Sequence, residues 1–93
     1  MHCQLEVSSV DGTAMSAYWV TPTVMHVTTT VPHWPGTHLP IRFQLPTDSR
    51  AINATVRVLD FMPMQEGVGM VLQFLQLAPE ALTALQQLET APR

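Results

Sequence analysis

The stretch from Gly36 to Leu88 decides the fold: GTHLPIRFQLPTDSRAINATVRVLDFMPMQEGVGMVLQFLQLAPEALTALQQL. Leu39, Ile41, Phe43 and Leu45 alternate with Pro40, Arg42 and Gln44, and Ile52, Ala54, Val56 and Val58 alternate with Asn53, Thr55 and Arg57. Successive strand side chains point to opposite faces, so each run predicts a half-buried strand. Proline cannot donate to a ladder, and Pro40 therefore predicts an edge strand or an irregular start. Pro46-Thr47-Asp48-Ser49 predicts a turn between the two runs, and Phe61 to Glu66, with Pro63 inside it, a loop. Gly67 to Leu75 is apolar at nearly every position and predicts a sixth strand, covered by a helix on the face opposite the core. Pro79 suits a first helical turn, where its missing N–H is not needed. Glu80 complements the positive end of the helix dipole. Ala81, Leu82, Leu85 and Leu88 then form one apolar stripe on a helix spanning about residues 79–89.

Upstream, His2 to Val10 places Cys3, Leu5 and Val7 on one face and Gln4, Glu6 and Ser8 on the other, a first strand. Asp11-Gly12 predicts a hairpin with a type I′ turn, which needs positive φ at both central residues. A second strand follows over Thr13 to Val20. Thr21-Pro22-Thr23 interrupts it, and Val24 to Val31, rich in β-branched residues, predicts a third. Pro32-His33-Trp34-Pro35-Gly36 is a turn. The expected architecture is all-β, a single domain over residues 1–93: a six-stranded barrel or curled sheet capped by one C-terminal helix.

Composition narrows the function classes. With 46% apolar and 12% charged residues, the chain is too hydrophobic and too weakly charged to stay disordered. Its surface must be largely neutral, which fits either a partner-facing patch or merely a sparing use of charge. The net charge is −3, lysine is absent, and the four arginines are dispersed. Nucleic-acid binding, which needs clustered cations to release counterions, is excluded on that ground. Cys3 alone makes no internal disulfide framework and fits a reducing cytoplasm. No stretch reaches the ~20 apolar residues of a membrane-spanning helix. Glu6 and Asp11 interrupt any signal-peptide core, so a cytoplasmic protein is expected.

Candidate chemistry is sparse. His33 and His38 flank a Pro-Gly turn, while His2 and His26 are distant, and no Cys/His pairs at short fixed spacing point to zinc. No nucleophile, base and orienting group share a motif, and Cys3 has no basic neighbour, so no catalytic residue, metal or cofactor is assigned. The aromatic residues carry more. Trp34, in a proline-rich turn with His33, reads either as an exposed anchor for a partner or as a lid over one barrel end. Tyr18 and Trp19 are adjacent on a strand and are expected on opposite faces, one in the core and one outside. Because aromatic residues dominate interface hot spots, Tyr18, Trp19, His33 and Trp34 are the partner-binding candidates. Met62, Met64 and Met70 could adapt to an irregular surface, with core filling the plainer reading.

The order of elements resembles a PilZ domain. Gly36-Thr37-x-Leu39-Pro40-Ile41-x-Phe43-x-Leu45-Pro46 is similar to one family strand, Ala54-Thr55-Val56-Arg57-Val58-Leu59 to another, and Gly67-Val68-Gly69-Met70-Val71-Leu72-Gln73-Phe74 to the strand before the terminal helix. The resemblance covers about two thirds of the chain. It implies the barrel, and for most members binding of cyclic di-GMP through an R-x-x-x-R arm and a (D/N)-x-S-x-x-G turn between the second and third strands. Paired guanidinium forks suit phosphates and guanine edges. This chain has no arginine in its first 41 residues, and Trp19, Thr21 and Val24 stand where the turn motif would have Asp/Asn, Ser and Gly. Thr21 alone keeps a hydroxyl.

The resemblance therefore implies a bacterial regulatory or adaptor domain that is not an enzyme and acts through protein contacts. Short members without the binding motifs work in type IV pilus assembly or motility, contacting a pilus ATPase or an EAL-domain protein, and Ser16-Ala17-Tyr18 adds to the likeness. The alternative is a cyclic di-GMP receptor using unusual residues: Thr21, Arg42, Arg50 and Arg57. A third possibility is an unrelated small barrel that shares only the alternation of strands.

Overall fold

The structure, a computed structural model, describes residues 2–31, 33–45, 51–65 and 67–90. Six strands, β1 (His2–Ser9), β2 (Ala14–Val20), β3 (Val24–Thr29), β4 (His38–Gln44), β5 (Ala51–Met64) and β6 (Gly67–Leu77), precede one helix, α1 (Pro79–Thr90). All pairings are antiparallel, and the strands close into a barrel in the order β1-β2-β3-β6-β5-β4. Leu5 and Val7, Ile41 and Phe43, and Val56 and Val58 sit inside, as the alternation of their strands requires. Met25, Met70 and Leu72 fill the interior from β3 and β6. Each such side chain taken from water contributes about 1.5–3 kcal/mol.

Closure changes the reading of Pro40. It lies within a strand paired on both sides, not on an edge. Its carbonyl accepts from Val10 N–H at 3.2 Å, where β1 is ending. A residue's N–H and C=O point the same way in an antiparallel strand, so the donor that proline lacks would have faced the last rung of that ladder.

The β1–β2 hairpin forms where expected but with a different turn. Gly12 has φ +90°, and no residue other than glycine among those described has positive φ, so Asp11 cannot adopt a type I′ geometry. Gly12 N–H donates to Ser9 O at 3.0 Å and Ser9 N–H to Thr13 O at 2.9 Å. This is a three-residue loop with glycine at its left-handed position. Asp11 is then freed to cap the loop: its carboxylate accepts from the Ser9 hydroxyl and from Thr13 N–H at 3.0 Å. Those donors, Ser9 first, hold the Asp11 carboxyl well below the usual carboxylate range.

Three further expectations shift. β3 stops at Thr29, and β6 runs on to Leu77. Phe61 to Met64, expected as loop, continues β5 and pairs with Gly67 to Met70. β5 thereby runs on past its pairing with β4 as a ribbon with one open edge, held on β6, which stays paired with β3 as far as Val68. A helix does not cover the outer face of β6, where Leu75 is exposed and Val71 and Gln73 are half-exposed. Instead α1 leaves the barrel at the end opposite the ribbon and buries Ala81 and Leu85 against the core, with Leu82 exposed. The side chain of Leu88 lies outside the described residues.

Two outcomes check this account. Gly67 has φ +109°, and an added Cβ would lie 2.7 Å from Thr29 O, so Gly67→Ala should cost more than about 1 kcal/mol in urea unfolding. An unchanged midpoint would mean the ribbon does not pack on β3 as described. Asp11, whose ordinary value is 3.8, is depressed in the fold. Its stabilisation is therefore present above that value and lost as pH falls through the lower folded value. Asp11→Ala should lower Tm at about pH 6, and the gap to the parent chain should narrow below about pH 4. A gap that widens on acidification would overturn the assignment.

Candidate functional site

Trp34 is 76% exposed, against 41% for Tyr18. Glycine at φ +92° in position 36 turns the chain, and Gly36 N–H donates to Val58 O at 2.7 Å, anchoring the segment beside β5. The indole then meets Phe61 edge to face, centroids 5.7 Å apart and planes at 86°. Trp34 is thus an exposed ring that also packs on Phe61.

His33 beside it is half-buried and points elsewhere. Its Nε2 lies 3.2 Å from Asp11 Oδ2, and its backbone N–H meets the Met70 sulfur at 3.4 Å. Its Nδ1 is buried without a protein partner. His33 therefore ties the segment to the β1–β2 hairpin and aims Trp34 outward.

The ribbon carries further exposed apolar side chains, on the face away from Phe61. A bulge at Leu59 shifts the register, so Asp60, Met62 and Met64 face outward and Phe61 faces the barrel side. Met62 and Met64 lie over Gly69, where an added Cβ would touch the Met64 sulfur at 2.9 Å. Met62 is 53% exposed and Met64 45%. Of the methionines considered for core filling, only Met70 is buried. Sequence reasoning missed Phe61 and preferred core filling to surface for Met62 and Met64; the apolar run around Pro63 was the available signal.

Tyr18 and Trp19 do not divide between core and surface. A second bulge pairs Ala17 with Val27 and Trp19 with His26, leaving Tyr18 as the extra residue. Tyr18 is 41% exposed, Trp19 is half-buried, and neither ring enters the core. Tyr18 stands edge-on to His26 at 6.0 Å. This pair lies near the β2–β3 turn, at the barrel end away from Trp34, so the four aromatic and histidine candidates form two places and not one.

The alternative ligand residues do not converge. Thr21 Oγ1 accepts from Thr23 N–H at 3.2 Å and Val24 N–H at 3.1 Å, spending its hydroxyl on its own turn. Arg42 donates through Nε to Asn53 Oδ1 at 3.2 Å, beside a groove of about 710 Å³ lined by Ser8, Thr55 and Gln76. Arg57 faces outward from the same sheet but opposite His38, four β5 residues from Asn53, roughly 13 Å at strand rise. Arg50 lies outside the described residues. Among the described residues no three His, Cys, Asp or Glu side chains gather to hold a metal, and no helix is long and apolar enough to cross a membrane.

No protein-family model matches the chain, and no curated protein matches it. Among solved structures it is similar to the Bacillus subtilis inhibitor of motility MotI/DgrA, with a TM-score of 0.81 and 19% identity over 97% of this chain and 49% of that one. The chain thus spans about half the length of that protein. At this identity the likeness shows the fold: a closed six-stranded PilZ-like barrel with one C-terminal helix.

Proposed function

We propose that the chain is a divergent PilZ-type domain that regulates by docking a protein partner, without catalysis and without the usual nucleotide site. The observation that carries this reading is the exposed Trp34, seated on Phe61 beside a ribbon whose Met62 and Met64 face solvent. Aromatic rings raised on a hydrogen-bonded ribbon offer large apolar area with little conformational entropy to lose on binding, and the flexible methionines adapt to an irregular partner surface.

Two further points support it. The fold is that of a protein described as an inhibitor of motility, which makes motility or type IV pilus control in a bacterial cytoplasm the setting to test first. A pilus ATPase or an EAL-domain protein is the partner class that the family resemblance offers. The nucleotide reading, by contrast, lacks its chemistry: Trp19 at the end of β2, Thr21 in the turn and Val24 at the start of β3 stand at the motif positions, Thr21 is occupied, and Arg42 and Arg57 stand apart.

Titration calorimetry with cyclic di-GMP should give no binding tighter than about 1 mM, with Tm unchanged. Micromolar binding lost in Arg42→Ala would replace the adaptor reading with the receptor one. Trp34→Ala should leave urea stability within about 1 kcal/mol, since the ring is mostly exposed, yet weaken binding to a purified pilus ATPase or EAL-domain partner about tenfold or more. Full affinity in Trp34→Ala and Met62→Ala alike would remove the ribbon as the docking surface.

A further inference from the structure

The outer face of the sheet carries a groove that the adaptor reading does not use. Alternation along β1, β4 and β5 turns Val7, Ile41, Phe43 and Ala54 inward, and so turns Ser8, Arg42, Asn53 and Thr55 out. Register then sets them side by side. Ser8 stands opposite Arg42, Arg42 opposite Asn53, and Thr55 opposite Gln76 on β6. All five line one groove of about 710 Å³, with the exposed Val10 beside them. That volume lies within the roughly 300–1,000 Å³ of small-molecule sites.

The groove holds one positive charge and no counter-charge. Arg42 Nε donates to Asn53 Oδ1 at 3.2 Å, which steadies the guanidinium across the strand pair and leaves its terminal nitrogens as donors. Among the described residues no carboxylate pairs with Arg42 and none lines the groove. Glu6, two residues before Ser8 on the same face of β1, makes no ion pair. The parallel N–H bonds of the terminal nitrogens match the two oxygens of a carboxylate.

The remaining groups are neutral. Ser8, Thr55 and Gln76 spend no side-chain hydrogen bond within the protein, and a hydroxyl or an amide can both donate and accept. Such groups suit the hydroxyls of a ligand. Thr55 lies two residues from Asn53, about 7 Å along β5, within the span of a chain of several hydroxylated carbons. We propose that this groove binds a small polyhydroxy monocarboxylate, of the sugar-acid class, with its carboxylate on the Arg42 fork and its hydroxyls over Thr55 and Gln76. One fork answers one anionic head, which separates the site from that of a dinucleotide with its two phosphates. Thr55 and Phe61 are six residues apart, roughly 20 Å along β5, so the inference goes beyond the adaptor reading and does not rest on it.

The test is an NMR titration of the full ¹⁵N-labelled chain with gluconate at constant ionic strength, against acetate, sorbitol and inorganic phosphate. Gluconate should shift the Arg42 Nε–H and the Asn53 and Gln76 side-chain amides with a Kd of about 1 mM, and sorbitol should shift none of them. Acetate should bind about threefold or more weakly than gluconate. Arg42→Ala should weaken gluconate about tenfold or more. Thr55→Val, which keeps the β-branched shape, should weaken gluconate about threefold and leave acetate unchanged. Both positions face outward, so the dispersed amide spectrum of the barrel should persist in either variant. No shift in the groove, shifts centred elsewhere, sorbitol or phosphate binding as well as gluconate, or unchanged affinity in Arg42→Ala would overturn the proposal. Trp34→Ala should bind gluconate as the parent chain does, and its affinity for a protein partner tests the adaptor reading separately.

Discussion

The short ladder between β1 and β4, with Val7 opposite Phe43, Ser8 opposite Arg42 and Ser9 opposite Ile41, closes the barrel. With it, every strand of the ring has two neighbours, and alternate side chains must fill a common interior. The remaining architecture follows from length. β5 runs past β4 at one end and forms the ribbon there, while β6 runs past β3 at the other end, where α1 follows it. The exposed ribbon is therefore the part of the sheet that closure leaves over.

Bulges decide which side chains reach that surface. At Tyr18 and at Leu59 two residues oppose one, and everything beyond changes face. This explains why part of the molecule could be read in the residues and part could not. β1 from Leu5 on, β4 and the first half of β5 alternate cleanly, and their interior residues there are those the alternation names, while the side chain of Cys3 lies outside the described residues. Tyr18 and Trp19 defeat the same rule, because a period of two holds only while the register does. Pro63 misleads in another way. A proline inside an apolar run argues for a loop, yet a strand with one open side accepts it wherever the missing N–H would have met no partner. Whether a side is open is a property of the closed topology, which no local stretch contains.

The same distinction applies to the nucleotide question. The absence of arginine before Arg42 is plain in the chain, and so is the altered β2–β3 turn. What the fold adds is spatial: Arg42 engages Asn53, Arg57 stands well along the sheet, and Thr21 closes its own turn. Dispersed cations cannot act as a pair of forks, however many there are. The Trp34–Phe61 contact was out of reach for the opposite reason, since it joins a turn to a strand 27 positions later through a segment read as loop.

The strand order also separates the chain into two halves, each a three-stranded meander contiguous in sequence: β1-β2-β3 and β4-β5-β6. They meet along two seams, β3 with β6 and β1 with β4, the first joining Val24 to Gln73. Each meander can zip locally, but the seams require the search for distant partners that slows β-rich proteins. Until both seams form, each half exposes two unprotected edge strands. The hazard for this molecule accordingly lies in biogenesis: a nascent first half, emerging without its complement, is the species most open to wrong pairing.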